Sequence, residues 1–192
     1  MTTSPSGTAV VHYLLDKDVS RFTVRAFVSG LLSAMGHSPT FAIRDFEGEA
    51  SLDPAAAAQA SLRIQVRADS LEVTDEIGGK DRRELETTMN EKVLESAKYP
   101  AIVFESTGAS ADQLGEGRYK IALNGSLSLH GVIRSLTVIA YVTVSDGMLR
   151  ASGEFSILQS SYAISPVSVA AGALKLTDVM KLSFDILARR QE

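Results

Sequence analysis

Three histidines, His12, His37 and His130, are the side chains most able to ligate a metal or carry a proton, and their spacing supports neither role. None forms an HxH or HExxH pair. The 192 residues contain no cysteine, which removes thiolate ligands, disulfides and cysteine nucleophiles together. His130 precedes Gly131 and reads as a solvated hairpin residue. His37 lies in the turn Gly36-His37-Ser38-Pro39 between apolar stretches and is a candidate for touching a ligand. A hydrolase needs a nucleophile held against a base. No GxSxG elbow is present, and the serines fall on the polar faces of strands. Glu84, Glu86, Glu91 and Glu95 belong to a helix whose outer side is wet. Gly115-Glu116-Gly117 is a hairpin turn, not a phosphate loop before a helix. The residues therefore point to no enzyme, no metal site and no resident cofactor.

Charge narrows the partners further. The net charge is −4, and Arg82-Arg83 and Arg189-Arg190 are isolated pairs, so no basic stripe offers itself to nucleic acid. With 45% hydrophobic and 22% charged residues the chain can bury a core. The first apolar run, Val10 to Leu15, follows no basic residue, contains His12 and Tyr13, and is too short for a signal peptide or a membrane span. The expectation is a cytoplasmic chain, or a periplasmic one if Met1 has been restored to a mature secreted sequence. Residues 1–9 read as a small-residue tail, and 10–190 as one domain.

The elements that must position any site are mostly strands. Val10 to Leu15 and Arg21 to Val28 read as the first two, the second carrying Val24 on its apolar side. From Thr40 to Leu52 the alternation changes phase, with Ile43 on one parity and Phe46 on the other, so a bulge is expected at Arg44-Asp45. Leu62, Ile64, Val66 and Ala68 alternate with Arg63, Gln65, Arg67 and Asp69. One helix follows, about Asp81 to Leu94, with Asp81 and Glu84 placed as a capping box and Leu85, Met89 and Val93 forming an apolar stripe. Pro100 ends that unit and AIVFEST, with Phe104, begins a strand. A meander completes the chain, with Asp146-Gly147 as its strongest hairpin signal. The sum is roughly eight long strands and one helix, the composition of a β-barrel. Small residues on the inward faces (Ala26, Gly48, Ala50, Ala68, Gly125, Ala140) argue for some unfilled interior, and a solidly packed barrel is the alternative.

The order of these pieces resembles the YceI-like family. SRFTVRAF is similar to its early strand, and IRDFEGEASLDP to its F-x-x-F-x-G-x-x-x-x-D segment, with Ile43 where an aromatic is usual. DRRELETTMNEKVLESAKYPAIVFEST resembles its helix and Y/F-P-x-I-x-F-x-S strand. GRYKIALNGSLSLHGVIRSLTV resembles its G-x-Y-x-x-x-G-x-L-x-x-x-G-V hairpin. The Gly36-His37-Ser38-Pro39 turn departs from the commonest version, and the export signal of many relatives is lacking. The resemblance implies an all-β fold with a minor helix, an extended eight-stranded antiparallel lipocalin-like barrel. It also implies a non-catalytic function, the binding of a polyisoprenoid or fatty-chain lipid, and a homodimer. Ile133, Ile139 and Tyr141 on an outer strand face lend the dimer some support.

If a lipid is bound inside, parity supplies its walls. Ile64, Val66, Ile121, Leu123, Leu136, Val138, Phe155 and Phe184 point inward, with Val24, Ile43, Phe46 and Phe104 joining them, and His37 and Arg44 are the candidates for the mouth. A structural or interaction module with a packed barrel and no ligand is the competing expectation. An enzyme acting on a lipid is a third, without a visible nucleophile–base pair.

Overall fold

A strand with one apolar face is stable only when that face is covered, and closing the sheet on itself covers all of them at once. The computed structural model of the protein, which describes residues 10–29, 38–169 and 174–191, shows that closure. Its strands are β1 (Val11–Leu15), β2 (Arg21–Ser29), β3 (Thr40–Ile43), β4 (Phe46–Leu52), β5 (Ser61–Arg67) and β6 (Leu71–Val73). After the helix α1 (Gly79–Thr88) come β7 (Ala101–Gly115), β8 (Arg118–Leu129), β9 (Val132–Ser145), β10 (Met148–Leu158), β11 (Ser168–Val169) and β12 (Leu174–Arg190). The pairing order β1-β4-β5-β7-β8-β9-β10-β12 returns to β1, an eight-stranded antiparallel barrel. Beyond β12 the sheet continues through β2, β3 and β6.

The first three walls are long strands broken in the middle. β1 and β2 both pair with β12, β4 and β3 take them as neighbours, and β5 and β6 follow in turn. The second break falls at Arg44-Asp45, as the change of phase required. The three breaks lie side by side and are tied across. Arg44 N–H donates to Ser70 O and Arg67 N–H to Asp45 O, each at 3.0 Å. At the first break, the buried Ser20 hydroxyl accepts from Leu187 N–H at 3.0 Å and donates to Leu187 O at 3.2 Å. At the third, the buried Ser70 hydroxyl donates to Arg67 O at 2.7 Å. Each serine gives a bent strand the partner its ladder has lost.

The remaining strands meander as their patterns indicate. Asp146 and Gly147 turn β9 into β10 with φ of 48° and 74°, the positive values a tight hairpin needs. β7 begins with AIVFEST and runs on to Gly115. The helix departs from its sequence reading in two ways. It begins at Gly79 with Gly78 as its cap, no side chain bonds there, and Asp81 lies inside the first turn. It also ends as a π-helical turn, Met89–Val93, and not as α-helix to Leu94. Arg82 and Glu86, one turn apart, reach the free edge of β6. Arg82 donates to Val73 O, and Glu86 accepts from Val73 N–H at 3.0 Å. Two helix side chains thus take the place of a neighbouring strand, which is why the sheet can stop there.

Candidate ligand-binding cavity

Inward parity makes a barrel's core, but the core here is not filled. An apolar cavity of about 370 Å³ lies inside, between Leu52 and Leu149 at one end and Leu85 and Leu176 at the other. The first end is shut by the connection after β4, where the buried Tyr119 hydroxyl meets Pro54 O at 3.4 Å. Leu85, Met89 and Val93 line the second end, so the helical stripe covers the interior and does not merely dock on the outer wall. Met89 is buried, while Leu85 is 36% exposed. Among the described residues, Asp75 is the one charged side chain of the lining.

Most residues proposed from parity lie on this surface. Val24 and Ile43 line it from β2 and β3, Ile64 and Val66 from β5, and Phe104 from β7. Ile121 and Leu123 line it from β8, Val138 from β9, Phe155 from β10 and Phe184 from β12. Phe46 is buried on the inward face opposite Val66, edge-on to Phe22 with ring centroids 4.8 Å apart, and does not itself border the cavity. Leu136 faces Gly125 across the β8–β9 pair, half-buried, and does not reach the cavity. Arg44 is turned outward by its break and pairs with Glu72 at 2.8 Å, away from the lining. His37 lies outside the described residues.

Two of the inward glycines mean something other than empty space. A Cβ on Gly125 would stand 2.4 Å from Glu105 O and 2.8 Å from the tip of Phe104. On Gly48 it would meet Arg63 O at 2.9 Å and the Ile64 side chain at 3.0 Å. These positions are small because a neighbour already fills them. Gly153, on β10, repeats the pattern under Phe184. The cavity is left between the phenylalanines, not beneath them.

His130 corrects the sequence reading. Its side chain is only 9% exposed, covered by the Tyr99 ring at 4.5 Å. One ring nitrogen, Nε2, lies 2.7 Å from Glu95 Oε2, and the other, Nδ1, lies 3.2 Å from Tyr162 O. Each partner adjoins the lining, through Leu94 beside Glu95, Leu129 beside His130, and Ile164 beyond Tyr162. The histidine therefore fixes three segments around one end of the cavity. Burial pushes the Tyr162 phenol above its ordinary pKa. The turn carrying Tyr162 is also fastened to β12, where Gln159 Nε2 donates to Thr177 O at 2.9 Å and Ser160 N–H to Asp178 at 2.7 Å. Gln159 and Asp75 were missed in the sequence because nothing in a turn's alternation says which polar residue it will bury.

A YceI-like domain matches residues 13–188. No curated protein matches the sequence. Among solved structures, Burkholderia cenocepacia BcnA is similar at a TM-score of 0.70 and 18% identity, covering 90% of this chain and 98% of its own. A polyisoprenoid binding domain from Saccharophagus degradans, implicated in plant cell wall breakdown, gives 0.64 and 12%, covering 93% and 98%. A Campylobacter jejuni YceI protein gives 0.57 and 15%, covering 79% of this chain and 85% of that one. At these identities the likeness is one of fold.

Proposed function

This chain belongs to the YceI-like family, and from that premise we propose that it binds an apolar or amphiphilic lipid inside its barrel without catalysis. The cavity of about 370 Å³ is the observation that carries the reading. Its size falls in the lower part of the roughly 300–1,000 Å³ typical of small-molecule sites, whose walls are mostly apolar with a few placed polar groups. Burial alone supplies affinity there, about 0.8 kcal/mol for each CH₂ taken from water. The lining holds hydroxyl groups and one carboxylate, Asp75, which accepts from Thr40 N–H; among the described residues no hydroxyl of the lining is hydrogen-bonded to it, so no nucleophile–base pair is assembled there. That composition supports carriage, storage or sequestration over turnover. The polyisoprenoid binding domain from Saccharophagus degradans has the same fold and supports a polyisoprenoid or other long chain as the guest.

Native mass spectrometry of freshly purified protein, followed by solvent extraction, tests the reading. A bound species that extracts as a chain lipid is the expected result. Protein that leaves purification bare, and takes up neither a prenol nor a fatty alcohol when offered them, would count against it.

A homodimer is part of the same proposal. Ile133, Ile139 and Tyr141 on β9 are 68%, 40% and 55% exposed. The short side chains of Ser128 and Ala122 on β8 stand opposite Ile133 and Ile139, and Lys120 stands opposite Tyr141. Apolar groups gathered on such a face suit a second copy. Sedimentation at tens of micromolar, roughly where weak dimers form, should show a dimer that Tyr141→Glu breaks.

A further inference from the structure

The mouth of the cavity is marked by residues that both line it and meet solvent. Leu85 lines the interior while 36% exposed, and Ile77 lines it half-buried, whereas Met89, one helical turn further on, is buried. Val28, Pro39, Val167 and Leu176 also line this end half-buried, so the segment after β6 and the first turns of α1 form one side of the place where water and cavity meet. Asp75 stands at this place, the single charged side chain of the described lining. Its carboxylate is held still, since Oδ2 accepts from Thr40 N–H at 2.7 Å. Its main-chain oxygen accepts from Arg82 at 2.9 Å.

Resting on the lipid-binding reading, we propose that the polar end of the ligand is an uncharged or cationic hydrogen-bond donor held at Asp75. Alcohols, amides and amines fit, and anionic heads such as carboxylates and phosphate esters are turned away. A carboxylate accepts and cannot donate, so the complement it selects carries O–H or N–H. Like charges at a half-buried mouth repel through a medium of lower dielectric than water. The surroundings add to this sign. From Glu72 to Glu86 six carboxylates stand beside three cations, Lys80, Arg82 and Arg83. Of these Arg82 is the closest, but its guanidinium is spent on Val73 O and Asp75 O and is not part of the lining. Arg25, opposite Thr40 on β2, lies over the Phe27 ring at 5.5 Å on the outer face.

Three probes with one chain and different heads decide the matter: dodecanol, dodecylamine and dodecanoate, titrated near neutral pH into delipidated protein. Dodecanol and dodecylamine should bind about tenfold or more tightly than dodecanoate, the size of one modest charge–charge term. Asp75→Asn should erase most of that preference, because the amide oxygen still accepts from Thr40 N–H while the charge is gone. Glu76→Gln, at the exposed neighbour, should leave the preference intact and serves as the folded control. Dodecanoate binding as tightly as dodecanol, or more tightly through attraction to Arg82, would overturn the head-group assignment alone. A preference unchanged in Asp75→Asn would remove Asp75 from it. Binding of none of the three would overturn the lipid-binding reading, and this assignment with it.

Discussion

Gly125 shows how much of the wall is decided by single atoms. Its strand approaches β7 so closely that even a methyl group has no room, with main-chain atoms Glu105 O and Ser106 Cα on one side and the Phe104 ring on the other. Backbone cannot rotate out of the way as a side chain can. Gly125→Ala is therefore expected to push β7 and β8 apart and cost about 1–3 kcal/mol or more, as overpacking does. Denaturant unfolding measures it, and a midpoint equal to wild type would mean the contact is loose. From sequence the same glycine looks like spare volume, because its own strand shows only that the residue is small and inward. The ring above it belongs to a residue 21 positions earlier, whose strand neighbour no local pattern identifies. His130 was misread for the same reason: its cover, Tyr99, and its partners, Glu95 and Tyr162, arrive from distant segments.

Elements were legible where one strand's alternation was sufficient, and less so where two elements share a task. The break at Arg44-Asp45 follows from parity alone. The helix was visible as a stripe, yet its start was misplaced, since Asp81 and Glu84 fit a capping box that tertiary contacts overrode. What fixes the helix is Arg82 and Glu86 on the edge of β6, a bond pair invisible without the fold. The turn after β10 depends likewise on a bulge in β12, where Leu176 and Met180 face Val28 and Ala26 with extra residues between. Asp178, in that bulge, is held below its ordinary pKa of 3.8, first by the Ser160 hydroxyl and then by the Ser160 amide. A depressed carboxyl contributes its stability above the ordinary value and loses it as pH falls through the folded one. Acidification below 3.8 is thus expected to release Ser160 from β12, while at neutral pH the turn stays fastened. The Ser160 amide resonance should shift with a midpoint below 3.8, and the shift should vanish in Asp178→Asn. A midpoint above that value would show that the contact does not favour the charged carboxylate.

At the scale of the molecule, the question is why a barrel with this much apolar side chain leaves space inside. Eight walls set the circumference, and at that size an interior can be filled by side chains or hold one small ligand. Here Phe104 and Phe184 each set a ring tip against a glycine of the neighbouring strand, Gly125 and Gly153, so part of their bulk occupies room along the wall that a side chain at the glycine would have taken. The closure and the inward faces were legible in the sequence, because period two is a local signal. The emptiness was not, because it depends on where rings lie after closure. Leu123 tests whether that space is used. It is buried on β8 and borders the cavity, so a larger side chain has somewhere to go. Leu123→Trp is expected to fold with a thermal midpoint near wild type, since an indole entering a void displaces no packed neighbour. It should also lose extractable lipid, because the indole takes volume a chain would occupy. A packed barrel responds in the opposite way, with overpacking of about 1–3 kcal/mol and a clearly lower midpoint. The two measurements, thermal midpoint and lipid per protein, are made on both forms. A steep fall in midpoint with no lipid in either sample would mean that the cavity is not a binding site, and the outer face of β9 would then be the surface to pursue.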